Sequence, residues 1–187
     1  MAGDTRARMV RATQVLMASH GSHGTSFTDV LAASGAPRGS LYHHFPGGKD
    51  ELVRSAVEVA GANALAALEA SRGRPAPDVA AGFIDAWRRL LVATDFTVGC
   101  AVAAVTVDAE TSELVERGGE VFRQWTATLC ELLTVGGVPE ARAGALAALL
   151  IAGCEGAVIM SRAERDLAPF EQTATELLRL IATATAG

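Results

Sequence analysis

The sequence is short of most residues that mark a site by themselves. Its 187 residues hold one tyrosine, three cysteines, four histidines and six prolines. Cys100, Cys130 and Cys154 lie far apart and form no C-x-x-C pair, so neither a disulfide framework nor a zinc site is expected. They read as free, buried thiols of a reducing cytosol. No histidine lies beyond His44, so histidine-assisted chemistry in the rest of the chain would have to borrow from its first quarter. G-x-S-x-G, H-E-x-x-H and a Gly-rich phosphate loop after a strand are missing. The paired acids Glu113 and Glu116 stand at a solvated helical spacing. No enzyme, metal site or cofactor is therefore expected. The opening MAGDTRARM lacks an apolar signal-peptide core. Prolines are few, and evenly spaced short strands do not occur. Half the chain is hydrophobic, with Ala and Leu dominant, a composition that favours helices.

Charge is unevenly spread. Residues 1–54 carry six basic and four acidic side chains, a net +2, whereas residues 55–187 carry ten and seventeen, a net −7. A basic end on an acidic body suggests that the first end meets a polyanion. That end also has a distinct outline. Residues 5–19 have helical periodicity and stop at Gly21. Ser26 and Asp29 resemble a capping box opening a helix that closes at Ser34-Gly35. Pro37 restarts a helix at its first turn, and Pro46-Gly47-Gly48 ends it. A long helix, a short helix, a Gly-containing turn and a second short helix make the outline of a helix-turn-helix.

The stretch GAPRGSLYHHFPGGKD (35–50) gathers the only tyrosine and the only lysine with two of the four histidines. At 100° per residue from Arg38, Leu41 and Phe45 fall on one side and His43 on the opposite side. Gly39, Ser40 and Tyr42 flank that outward direction. The exposed face is small and polar, suited to a major groove. Ser40 can bond a base edge, Arg38 can reach a guanine, and Tyr42 and His43 can donate to phosphates. Lys49 opens the next helix, where free N–H groups favour an anion. Adjacent His43 and His44 diverge by 100°, a poor chelate.

The G-x-x-x-G-S-L-Y-H-H-F block (35–45) and the Lys after it resemble the DNA-binding domain of the TetR family of transcriptional regulators, over residues 5–55. The FPGGK form at 45–49 and GCAVAAVTVDAE at 99–110 resemble its LmrA/YxaF-like subgroup. Many members have a Ser or Thr cap where this chain has Pro37. The resemblance implies that Arg38, Gly39 and Ser40 face bases. It implies phosphate contacts for Tyr42, His43 and Lys49, with Ser26, Thr28 and His44 as further contacts. It also implies a homodimer through the last two helices and an effector cavity in the C-terminal part. The fold expected is all-α. Residues 1–50 form a three-helix DNA-binding domain, and residues 51–187 form a helical effector-binding and dimerisation domain. The expected function is that of a cytoplasmic repressor on a palindromic, double-stranded operator, released by a small molecule. An architectural DNA-binding protein and an enzyme without a recognisable motif are the rival readings.

Helices are expected at 49–71, 78–94, 110–134, 140–163 and 169–185, with a linker at 73–78. The β-branched segment 97–108 fits a short helix or a strand. Phe83, Trp87, Phe122 and Trp125 stand at helical spacing on two of these helices. With Cys154 and Glu155 they are the expected lining of an apolar cavity; plain core is the alternative. Gly118-Gly119 is expected to free volume in one wall. Phe170, Ala174, Leu177, Leu178 and Ile181 form one stripe of the last helix, facing a second copy or the chain's own core. Gly144 and Ala148 would allow close crossing in a four-helix bundle between two copies. The apolar run 143–160 matches a membrane span in length. It contains Glu155, and no cluster of basic residues or aromatic belt flanks it, so a buried helix of a soluble protein is expected instead.

Overall fold

Local sequence signals set most helix boundaries. The computed structural model describes residues 2–109 and 111–186. Met1, Gly187 and Glu110, where one helix was expected to begin, lie outside the described residues. Among the described residues there are nine α-helices and no strand. They are α1 (Ala2–His20), α2 (Phe27–Ser34), α3 (Arg38–His44), α4 (Gly48–Glu69), α5 (Ala76–Ala93), α6 (Ala101–Asp108), α7 (Ser112–Val135), α8 (Glu140–Glu164) and α9 (Ala168–Thr185).

The caps show why the chain breaks where it does. The capping box forms: Ser26 Oγ accepts from Asp29 N–H at 3.2 Å, and Asp29 Oδ2 accepts from Ser26 N–H at 3.2 Å. The Ser26 hydroxyl, which also donates to Asp29 Oδ2, and then the Ser26 N–H hold the Asp29 carboxyl below its usual value. Gly35 ends α2 in the left-handed region, φ 63°. Pro37 lies one position outside α3, as its N-cap, rather than within the first turn. Its fixed φ is compatible with either position. Pro75 caps α5 in the same way, so that helix starts inside the expected linker. The ambiguous segment becomes helix α6. Cys100 Sγ accepts from Ala103 N–H at 3.4 Å, and Val102 and Val105 are buried one turn apart.

Two compact units result, one of residues 1–63 and 100–122, the other of 64–99 and 123–187. In the first, α1 packs on α2 and α6. Its core includes Met9, Met17, Leu41, Phe45 and Leu52. Burying each of these large side chains is worth about 1.5–3 kcal/mol. Gly61 lets α4 approach α7, since a Cβ there would meet Val121 at 2.9 Å.

In the second unit α5, α8 and α9 pack on one another. The inner face of α8 buries Leu146, Leu150, Ile151, Cys154 and Val158. It is the one helix among the described residues with the length and apolarity to cross a membrane, and here one face lies against α5 and α9. Burial pushes the Cys154 thiol up to about 12. Cys100 and Cys130 are half-buried, less enclosed than expected.

Arg88 ties α5 to α9 by two hydrogen bonds, Nε to Glu171 Oε1 at 2.5 Å and Nη2 to Oε2 at 3.0 Å. They hold the Glu171 carboxyl below its usual 4.5. A carboxyl lowered by folding stabilises above its unfolded value and loses that contribution as pH falls through the folded one. Both side chains are about a third or more exposed, so screening limits the pair to about 0.5–1 kcal/mol. Glu171→Gln should therefore lower the melting temperature near neutral pH. The gap from the unsubstituted protein should close as the pH is taken below about 4.5, which paired thermal melts would read.

Candidate nucleic-acid interface

The outward face of α3 is built by what anchors its inward face. Leu41 and Phe45 are buried to about 1% exposure or less. Arg6 of α1 stacks over the Phe45 ring at 5.1 Å and donates to Ser55 Oγ at 3.0 Å. Arg6 thus secures the aromatic plug of α3 against α4, a role its sequence position concealed among the other basic residues. With those anchors in place, Arg38, Gly39, Tyr42 and His43 are exposed, and Ser40 and His44 are half-buried. Tyr42, 70% exposed, rests edge-on against Phe27 at 6.2 Å between ring centres. The His43 and His44 rings lie at 5.0 Å, edge to face. A Cβ on Gly39 would meet nothing within 4 Å.

Two hydroxyls are already engaged within the chain. Ser26 Oγ donates to Asp29 Oδ2 at 2.5 Å as well as capping α2. Ser40 Oγ donates to Pro37 O at 2.5 Å, which leaves its lone pairs for an incoming donor. Thr28 is exposed on the first turn of α2, and Lys49 is the half-buried second residue of α4. Gly48 enters α4 at φ 78°, a left-handed conformation that explains the second glycine of FPGGK. Gly47 N–H donates to Glu51 Oε2 at 2.8 Å, so one backbone donor at this helix start is taken.

A contact missed in the sequence braces this unit. Asp108, the last residue of α6, accepts from Ser22 N–H at 3.1 Å and His23 N–H at 3.3 Å. Its carbonyl accepts from Ser22 Oγ at 3.2 Å. A Cβ on Gly21 would strike the Asp108 carboxylate at 2.4 Å. The α1–α2 turn is therefore docked on the end of α6.

Within the second unit lies a cavity of about 470 Å³. Its walls are the end of α4 (Ala64, Ala67, Leu68) with Ser71 of the turn after it, one side of α5 (Val79, Gly82, Phe83, Trp87, Leu90) and Trp125 of α7. Three of the six expected lining residues, Phe83, Trp87 and Trp125, meet there.

The sequence matches known proteins along nearly its full length. Residues 10–56 match the family described as bacterial regulatory proteins, tetR family, and residues 75–176 match the transcriptional regulator LmrA/YxaF-like C-terminal domain. An uncharacterized HTH-type transcriptional regulator of Mycobacterium tuberculosis is 36% identical over 94% of this chain and 93% of its own. The chain belongs to the TetR family of transcriptional regulators. The HTH-type transcriptional regulator LmrA of Bacillus subtilis is 29% identical, covering 89% of this chain and 91% of its own. The crystal structure of a TetR transcriptional regulator from Chloroflexus aurantiacus superposes with TM-score 0.80 at 29% identity, covering 97% of this chain and 96% of that one. Transcription regulation and DNA binding through a helix-turn-helix are thus the character of the chain, and these relatives are regulators rather than enzymes.

The TetR-type body departs from several expectations. Phe122 falls in the first unit, and neither Cys154, buried on the inner face of α8, nor Glu155 lines the cavity. The third wall is α4, not α8. Gly118 faces Thr106 of α6, where a Cβ would stand 2.5 Å from Oγ1, and so frees no cavity volume. On α9, Phe170, Ala174, Leu177 and Ile181 are buried within their own chain and Leu178 is half-buried. Most of the stripe expected to meet a second copy is spent on the core. Gly144 and Ala148 are exposed, and so are Leu149, Ala152, Gly156, Ile159 and Met160.

Proposed function

We propose that this regulator is a homodimeric repressor that binds a palindromic operator through α3 and is released by a small apolar or aromatic effector. The observation that carries the reading is the α3 face: a bare Gly39 between Arg38, Tyr42 and His43, held outward by buried Leu41 and Phe45. Arg38 and Ser40 read base edges, Ser40 by accepting from a base amino group. Tyr42, His43 and Lys49 hold phosphates, with Thr28, Ser26 and His44 at the margin.

Residues 1–50 supply the DNA contacts and residues 51–187 the effector site and the dimer contact. The dimer forms through the outward face of α8, where Ala152 and Gly156 permit close approach between Leu149 and Ile159, together with exposed α9 residues. The effector occupies the cavity against α5. A ligand that favours a DNA-incompetent spacing of the two recognition helices lowers operator affinity by linkage, typically 5–150-fold. Such a protein works in the cytoplasm without a cofactor.

Phosphate and base contacts separate experimentally. Lys49→Ala should weaken specific and unrelated duplexes alike and lower the salt slope by about one per site. Arg38→Ala should instead relax preference at one position of each half-site, costing about 1–3 kcal/mol there. Binding titrations at several salt concentrations read both. An unchanged affinity and slope for Lys49→Ala would remove it from the interface.

A further inference from the structure

The cavity against α5 carries charge of one sign. Its body is apolar, yet two arginines, Arg74 and Arg89, reach its lining and no carboxylate does. Arg89 is paired with Asp85 one turn away on α5. The nearby Arg72 is held by both Glu69 and Glu131. Arg74 makes no side-chain hydrogen bond or ion pair among the described residues.

Its backbone, by contrast, is fixed. Arg74 N–H donates to Ser71 O at 3.1 Å, and two residues on Ala76 N–H donates to Gly136 O at 2.9 Å. Gly136 comes so close that a Cβ there would stand 2.9 Å from Arg74 O. An anchored turn thus places Arg74, exposed and without a side-chain partner among the described residues, at the lining of an apolar cavity. The planar fork of a guanidinium pairs with carboxylates and similar anions in two parallel hydrogen bonds. Apolar walls strengthen such a pair by excluding water. A neutral ligand would partly desolvate the cation without replacing its water, and a cationic one would meet two arginines.

Resting on the reading of this cavity as the effector site, we infer that the effector is an aromatic monoanion whose apolar body lies against Phe83, Trp87 and Trp125 and whose acidic group meets Arg74. A cavity of this volume lies in the usual range for small-molecule sites.

The test uses 8-anilinonaphthalene-1-sulfonate and its uncharged counterpart N-phenyl-1-naphthylamine, which share an aromatic body and differ by the sulfonate. Each is titrated into the full chain, following probe fluorescence and tryptophan quenching. The sulfonate should bind at least about tenfold tighter, as expected for a charge-assisted pair in place of none. Arg74→Gln should abolish that difference and leave the uncharged probe within about twofold. Gly82→Trp sets a bulky side chain at the cavity lining, from a position where a Cβ meets nothing within 4 Å; it should abolish binding of both probes. Ala86→Trp, at a second exposed position of the lining, should do the same. If Gly82→Trp blocks both probes but the sulfonate has no advantage, or Arg74→Gln does not remove it, the cavity stands and the anionic class is overturned. If neither probe binds saturably, or both cavity-filling variants bind both probes normally, the cavity is not the site and both readings fall.

Discussion

Gly156→Glu should turn the protein into a well-folded monomer that has lost at least about 100-fold in operator affinity. Gly156 is exposed on α8, and a Cβ there meets nothing within 4 Å, so the new side chain has room in the single chain. Replacing glycine inside a helix also gains about 0.5–1 kcal/mol of helix propensity. Thermal stability of the monomer should hold or rise. Any loss must come from outside the chain, where a two-fold axis along this face would set two carboxylates against a small, close-packed centre. Losing the dimer separates the two recognition helices, and linked half-sites typically contribute 10²–10⁴-fold in avidity. Sedimentation and operator titration of the variant read both effects. A Gly156→Glu dimer of normal affinity would move the interface elsewhere.

Gly39→Glu should abolish operator binding while leaving the dimer and its melting temperature intact. Here too a Cβ would meet open space. The position lies on the outward face of α3, between the side chains proposed to read and grip DNA. A glutamate at that position places bulk where the helix must sink and a negative charge against a polyanion. A loss of at least about 100-fold, roughly 2.7 kcal/mol, is expected in each half-site. Gly39→Ala adds only a methyl group and should cost far less. Near-normal binding by Gly39→Glu would mean that α3 does not enter a groove on this face.

The helix boundaries were legible because their chemistry is local. Ser26 with Asp29, Gly35, and the run Gly136-Gly137-Val138-Pro139 each act through the few residues around them. The α3 face was legible because one helical turn fixes which side Leu41 and Phe45 occupy. Segment 97–108 was not, because Val and Thr suit strand and short helix alike. Packing of α6 on α1 accompanies the helical outcome.

The α9 stripe was only half legible for a different reason. Periodicity on α9 reveals that Phe170, Ala174, Leu177 and Ile181 are buried, but not by which chain. On α8 the opposite problem arises. That helix is apolar nearly all round, so its outward face has no contrast to mark it. The cavity was half legible. The aromatics of α5 and Trp125 announced two walls, whereas the alanines of α4 carry no signature of the space they leave. Arg6 and Asp108 were invisible as braces, since their partners Ser55, Phe45, Ser22 and His23 lie far along the chain.

The most direct test of the account is selection of bound duplexes from a random-sequence library by the purified full-length protein. The account predicts an enriched inverted repeat, its half-sites separated by about one helical turn or a multiple of it, as two α3 helices related by a two-fold axis require. It also predicts that Arg38→Ala blurs one position in each half-site. Recovery of bound DNA with no enriched sequence, or with a single asymmetric site, would contradict it.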